Sequence, residues 1–117
     1  MSYKVDSIPH FEREAKRLKK KFPSLKAEIG QLIDSLEDNP FQGVPMHDGF
    51  YKIRLGIRSK GVGKRGGARV ITCVKVVAET VYLISIYDKA KQSDISDNEL
   101  DRLLGELPDD SDATKQE

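Results

Sequence analysis

Lys52 and Arg54 stand two residues apart in a segment, Phe50 to Leu55, that alternates in character along its length. On an extended strand that spacing sends both side chains to one face. Arg69 opens a second β-prone run, and pairing of the two runs would gather all three cations on one side of a sheet. Arg58, Lys60, Lys64 and Arg65 lie in the intervening stretch from Gly56 to Gly67. Its glycines let backbone amides approach phosphate oxygens closely. Tyr87 and Lys89 follow the last β-prone run and are expected near the same sheet end. Residues 49–78 hold eight basic groups and no acidic one, whereas ordinary surfaces mix the two signs. Such a block attracts polyanions. Residues 79–117, with eleven acidic groups and four basic ones, are expected not to touch those polyanions.

A basic cluster can bind a nucleic-acid backbone, and it can also cut one. Attack of a ribose 2′-hydroxyl on its own phosphate needs three things. One group takes the hydroxyl proton, another stabilises the negative phosphorane, and a third protonates the leaving oxygen. Arginine and lysine serve for stabilisation. A lysine or tyrosine in positive surroundings has a lowered pKa and serves as base or acid.

Other chemistries find little support. His10 and His47 are far apart and Cys73 is the single cysteine, so no cluster has metal-ligand spacing and no internal disulfide forms. Cys73 lies in an apolar run and reads as a small core residue. The string Gly61-Val62-Gly63-Lys64-Arg65-Gly66 matches a dinucleotide fingerprint. That motif must follow a strand and open a helix, and here strand-like residues come after it. Paired-carboxylate hydrolysis is unsupported, because acidic groups avoid the basic stretch. No apolar run reaches 18 residues and the N-terminus lacks a secretory pattern, so the expected compartment is the cytosol, without membrane contact.

These residues need a scaffold, and 117 residues suffice for one domain with one core. Residues 2–6 alternate weakly as a first short strand. Ser7-Ile8-Pro9 reads as a helix start, with Ser7 as cap. Ile8, Phe11, Ala15, Leu18 and Phe22 recur at helical spacing, as do Leu25, Ile29, Leu32, Ile33 and Leu36. Asn39-Pro40 ends the second helix, and the short link predicts a helical hairpin. Residues 40–49 read as a loop. Strands are expected at Phe50 to Leu55, Ala68 to Val77 and Thr80 to Ile86, with a turn at Ala78-Glu79. Ser96 to Glu99 fits a capping box, with Ile95 and Leu100 as the hydrophobic staple. Leu100, Leu103, Leu104 and Leu107 form the final helix's apolar face. The expected fold is α+β, in the order β-α-α-β-β-β-α. A helical hairpin packs on a mainly antiparallel four-stranded sheet, and the C-terminal helix follows. Residues 1–107 form one domain, and 108–117 an acidic tail expected to be disordered.

Three runs then carry a family resemblance: Gly49 to Leu55, Gly63 to Ile71, and Tyr82 to Lys89. Together with Leu36 to Pro40, Gly43, Asp94 to Ser96 and Glu99-Leu100, they resemble the RelE/HigB branch of the RelE/ParE toxin superfamily, over roughly residues 8–104. The resemblance implies the toxin of a type II toxin–antitoxin pair. Such a toxin enters the ribosomal A site and cuts mRNA there without a metal or other cofactor. By analogy, Lys52 and Arg54 hold and polarise the scissile phosphate, and Arg69 stabilises the transition state. Lys89 acts near the leaving group, and the basic loop binds ribosomal RNA or mRNA. The resemblance also implies a cognate antitoxin as partner. Several relatives carry a catalytic tyrosine or histidine near the C-terminus. Here neither occurs after Gly105, and Tyr87 is the nearest substitute. The same fold also hosts gyrase-inhibiting ParE-like proteins, and a non-toxic RNA-binding module fits the residues too.

Overall fold

The computed structural model describes residues 2–61 and 63–108. All but the first residue of the expected acidic tail lies outside the described residues. Strand β1 (Lys4–Ser7) leads into helix α1 (Pro9–Lys21), and α2 (Leu25–Asp38) completes the hairpin. A two-residue strand β2 (Val44–Pro45) precedes β3 (Phe50–Leu55), β4 (Ala68–Lys75), β5 (Thr80–Asp88) and helix α3 (Asp97–Leu104). The sheet has five strands in the order β1-β5-β4-β3-β2. β1 runs parallel to β5 and every other pairing is antiparallel. The expected four-stranded sheet thus gains β2, an edge strand placed in the 40–49 loop by sequence. It is too short to show a period, and its proline is tolerated because an edge strand has one free side.

Several boundaries move for identifiable reasons. Ser7 belongs to the parallel ladder opposite Leu83, so it cannot cap α1. Ile8 takes the cap position without a side-chain bond, and Pro9 fixes the start. The β4–β5 connection is a four-residue turn from Val76 to Glu79, closed by Glu79 N–H donating to Val76 O at 3.1 Å. β4 therefore stops at Lys75, and Val76 and Val77 are exposed rather than paired. β5 runs two residues beyond Ile86, so Tyr87 lies inside the strand. α3 ends at Leu104, and Leu107 packs against the core from outside the helix.

The core follows from periodicity. Phe11 and Ala15 of α1 and Leu25, Ile29, Leu32 and Leu36 of α2 are all buried. Phe11, Ala15 and Ile29 share a crevice with Leu83, so Leu83 faces the helical hairpin. A β-bulge then intervenes. Ile71 pairs with Ser85 and Thr72 with Leu83, leaving Ile84 as the extra residue. The bulge reverses the side-chain alternation. Ser85 and Tyr87 therefore point to the face opposite Leu83, and Ser85, at the open edge of β5, lines a cavity with His10 and Glu14 of α1 and with Ile95, Ser96 and Glu99 around the start of α3.

α3 is capped as its sequence demands. Ser96 Oγ accepts the Glu99 N–H at 3.1 Å, and Ile95 and Leu100 are both buried. Where β1 ends, the β5 edge lies open, and α1 covers it. Glu14 Oε1 accepts Ile86 N–H at 3.0 Å and Ser85 Oγ–H at 2.8 Å. An unmet buried amide there would cost about 1–3 kcal/mol.

Candidate functional site

The β3–β4–β5 register assembles the basic residues. Arg54 sits directly opposite Arg69, and Arg69 opposite Tyr87. The next row that shares this face is Lys52, Ile71 and Ser85. Residues opposite one another in a ladder point to the same side, so Lys52, Arg54, Arg69 and Tyr87 occupy one face.

Their environments differ sharply. Arg54 is exposed and Lys52 half-buried, whereas Arg69 is 6% exposed. The Arg69 guanidinium donates to Arg65 O at 2.9 Å and Ala68 O at 3.1 Å. The loop carrying Arg65 thus fixes the arginine through its backbone. Tyr87 is buried, and its hydroxyl has no hydrogen-bond partner among the described residues. Burial, with the charge of Asp94 adding to it and that of Arg69 opposing it, pushes the phenol up to about 12. The expectation that a tyrosine among cations has a lowered pKa therefore fails for Tyr87: desolvation and a carboxylate outweigh the arginine. Its hydroxyl stays protonated at neutral pH, so it can donate a proton and cannot accept one.

Acidic groups do reach the basic stretch, contrary to the linear charge map. Lys52 Nζ donates to Asp94 Oδ1 at 2.8 Å. Arg58 N–H donates to Glu28 Oε2 at 2.7 Å, and its Nε lies 3.7 Å from the same oxygen. Lys60 is bound to Asp88, and donates also to Gly66 O at 3.0 Å. Each acid lies outside residues 49–78 and is delivered by the fold. The partners are 28 to 42 positions apart in the chain, and no local signal in the sequence pairs them.

The loop residues divide accordingly. Residues 56–67 contain two one-turn 3₁₀ helices, Arg58–Lys60 and Lys64–Gly66, and β4 follows, with no helix behind the glycine motif. Lys60 is turned inward, with its side chain 17% exposed, against a buried Asp88. Arg58 remains largely exposed beyond its contact with Glu28. Arg65 is exposed. The Lys64 side chain lies outside the described part of the structure. Lys89 is half-buried past the end of β5 and its N–H donates to Gly67 O at 3.0 Å, so the loop end and the β5 end are held together. Arg54 and Arg58 also line a groove of about 860 Å³ between β3 and α2, with Glu28, Gln31 and Gln42.

His10 and His47 lie apart, the first in the opening turn of α1 and the second in the β2–β3 loop. No group of three or more His, Cys, Asp or Glu among the described residues is placed to hold a metal ion. No described helix is long and apolar enough to cross a membrane.

The helical hairpin, the five-stranded sheet and the C-terminal helix together are a RelE-like fold. The isolated E. coli toxin RelE superposes with a TM-score of 0.54 at 17% identity, over 91% of this chain and 100% of that one. An E. coli RelE with two arginines replaced by alanine, in the free state, gives 0.54 at 18% identity, over 91% and 94%. The RelBE2 toxin–antitoxin complex of Mycobacterium tuberculosis gives 0.55 at 15% identity, over 75% and 99%. The sequence matches no known family model.

Proposed function

We propose that this protein is the toxin of a type II toxin–antitoxin system and an endoribonuclease that cuts mRNA in the ribosomal A site. The observation that carries the reading is the row Arg54–Arg69–Tyr87, with Lys52 beside it, on one sheet face. The RelE-like fold supports it.

The chemistry follows from the environments. The substrate's 2′-hydroxyl attacks the adjacent phosphorus and gives its proton to solvent water. A P–O2′ bond forms, the P–O5′ bond breaks, and the products are a 2′,3′-cyclic phosphate and a free 5′-hydroxyl. Negative charge grows on the phosphoryl oxygens, and the guanidiniums of Arg54 and Arg69 and the ammonium of Lys52 stabilise it. Arg69 is already held by two backbone carbonyls, so little reorganisation is needed. Tyr87, protonated at neutral pH, is assigned the donor role toward the departing 5′-oxygen, with Lys89 next to it in sequence beyond Asp88. Arg58, Lys64 and Arg65 contribute contacts to RNA. Lys60, bound to Asp88, serves instead to hold the loop.

A toxin of this kind is expected to act in the cytoplasm and to pair with a cognate antitoxin. The neighbour solved as a toxin–antitoxin complex supports that partner. Mapping of mRNA ends after brief expression tests the reading. Cuts in reading frame that vanish when translation initiation is blocked are expected. Intact mRNA with DNA-damage signalling would point to gyrase inhibition, and neither effect would leave an RNA-binding module.

A further inference from the structure

Asp94 stands apart from the other acids that reach the basic stretch. Its Oδ1 accepts Lys52 Nζ at 2.8 Å and the N–H of Ile95 at 2.8 Å. It lies near enough to Tyr87 for its charge to add to the raised phenol pKa. Its own pKa is lowered, first by the Lys52 hydrogen bond, and the charge of Lys89 contributes to that lowering. One carboxylate therefore bonds Lys52 and acts through its charge on two further groups assigned to the reaction. The Lys52–Asp94 pair is also accessible, with side chains 26% and 61% exposed. The Lys60–Asp88 pair differs, since its carboxylate is 4% exposed and has a structural use. An ammonium is a compact point charge with three donors, and it binds a carboxylate oxygen and a phosphate oxygen in the same way.

We propose that Asp94 is an electrostatic gate on the RNA-binding face: its carboxylate occupies the place at Lys52 that a substrate phosphate oxygen takes, and it leaves when the backbone binds. An exposed ion pair is worth little, so an incoming phosphate flanked by Arg54 and Arg69 displaces it readily. In the free protein the gate lowers the affinity for RNA that is not otherwise positioned. The inference rests on the nucleic-acid reading above. It makes Asp94 a positioning residue that acts through Lys52.

The test uses the full chain and an uncleavable 2′-O-methyl single-stranded oligoribonucleotide, with binding measured across a salt series. Asp94→Asn keeps the oxygen that accepts Ile95 N–H and removes the charge. Its affinity should rise about fivefold at low salt. The slope of log K against log salt should steepen by roughly 0.7, because Lys52 then releases one more counterion. A residue needed only to hold the lead-in to α3 would weaken binding instead. Asp94→Ser, whose hydroxyl can also accept from Ile95 N–H, gives the same readout if the amide variant does not fold. In a Lys52→Gln background the Asp94→Asn change should have no effect. Salt-dependent wild-type binding that both Asp94 variants leave unchanged or weaken overturns the gate alone. Absent or salt-insensitive wild-type binding overturns the nucleic-acid reading and the gate with it.

Discussion

Arg54 and Arg69 are directly opposed in the β3–β4 ladder, two cations side by side on one face. Like charges in such positions destabilise a sheet. The arrangement persists because the Arg69 guanidinium is satisfied by the carbonyls of Arg65 and Ala68, while Arg54 is left in solvent. An anion bridging the two would relieve the repulsion.

The two arginines should therefore respond differently to truncation. Arg54→Ala should change stability by no more than about 0.5 kcal/mol, as for other exposed sites, and should lower cleavage on translating ribosomes at least tenfold. Arg69→Ala should abolish cleavage and also lower stability by about 1–3 kcal/mol, since it strips two carbonyls of their donor. The burial of Arg69 is what couples the chemistry to the fold. Urea unfolding beside the cleavage assay separates the effects. Full activity of Arg54→Ala would remove that residue from the site.

Tyr87→Phe isolates the acid. The hydroxyl is buried without a partner among the described residues, so its loss should leave the melting temperature unchanged or slightly raised. Cleavage should fall by two orders of magnitude or more, on the scale of general-acid catalysis. A phenol held near 12 also predicts no alkaline loss of proton-donor activity below about pH 10. For stability the sign is clear. The folded pKa is above the ordinary value of about 10, so this contribution is complete below about pH 10 and is lost as pH climbs toward 12. Alkaline unfolding of the wild type that tracks Tyr87→Phe at every pH would contradict it.

The Lys60–Asp88 link should matter more for stability than for RNA contact. Asp88 is buried, and it also accepts Ala90 N–H at 3.0 Å. Burial pushes its pKa up, but the hydrogen bonds from Lys60 and Ala90 and the charges of Lys60 and Lys21 outweigh this and leave it lowered. Lys60→Ala leaves the carboxylate poorly compensated and should cost about 3 kcal/mol. Because the folded pKa is depressed, the stabilisation is present above about pH 4 and fades as pH falls through the folded value. Thermal melts from neutral to strongly acidic pH should show a smaller acid loss for Lys60→Ala than for wild type.

Gly67 should tolerate no side chain. A Cβ there would lie 2.3 Å from Leu55 O, at the mouth of the β3–β4 pair where Lys89 N–H meets Gly67 O. Gly67→Ala should cost on the order of 2 kcal/mol or more and displace Arg69 from its carbonyls. Gly63, where an added Cβ would meet no atom of the described residues within 4 Å, is the neutral control. Circular dichroism melts of the two variants check the contrast.

Much of this protein is determined by local sequence. Periodicity sets the two helical stripes and their burial. Pro9 and Pro40 mark helix limits, and Ser96 with Glu99 starts α3. The period of two places Lys52 and Arg54 on one face, because strand alternation depends on nothing outside the strand. The family resemblance led to the fold that the solved toxins share.

Tertiary structure decided the rest. The bulge at Ile84 turns Ser85 and Tyr87 away from the face of Leu83, and no residue type there announces it. Antiparallel registry, a property of two strands, set Arg54 against Arg69 and Arg69 against Tyr87. Asp94, Glu28 and Asp88 reach Lys52, Arg58 and Lys60 across 42, 30 and 28 positions of chain. A charge map drawn along the chain cannot show them, because electrostatics acts through space and only the fold supplies the distances.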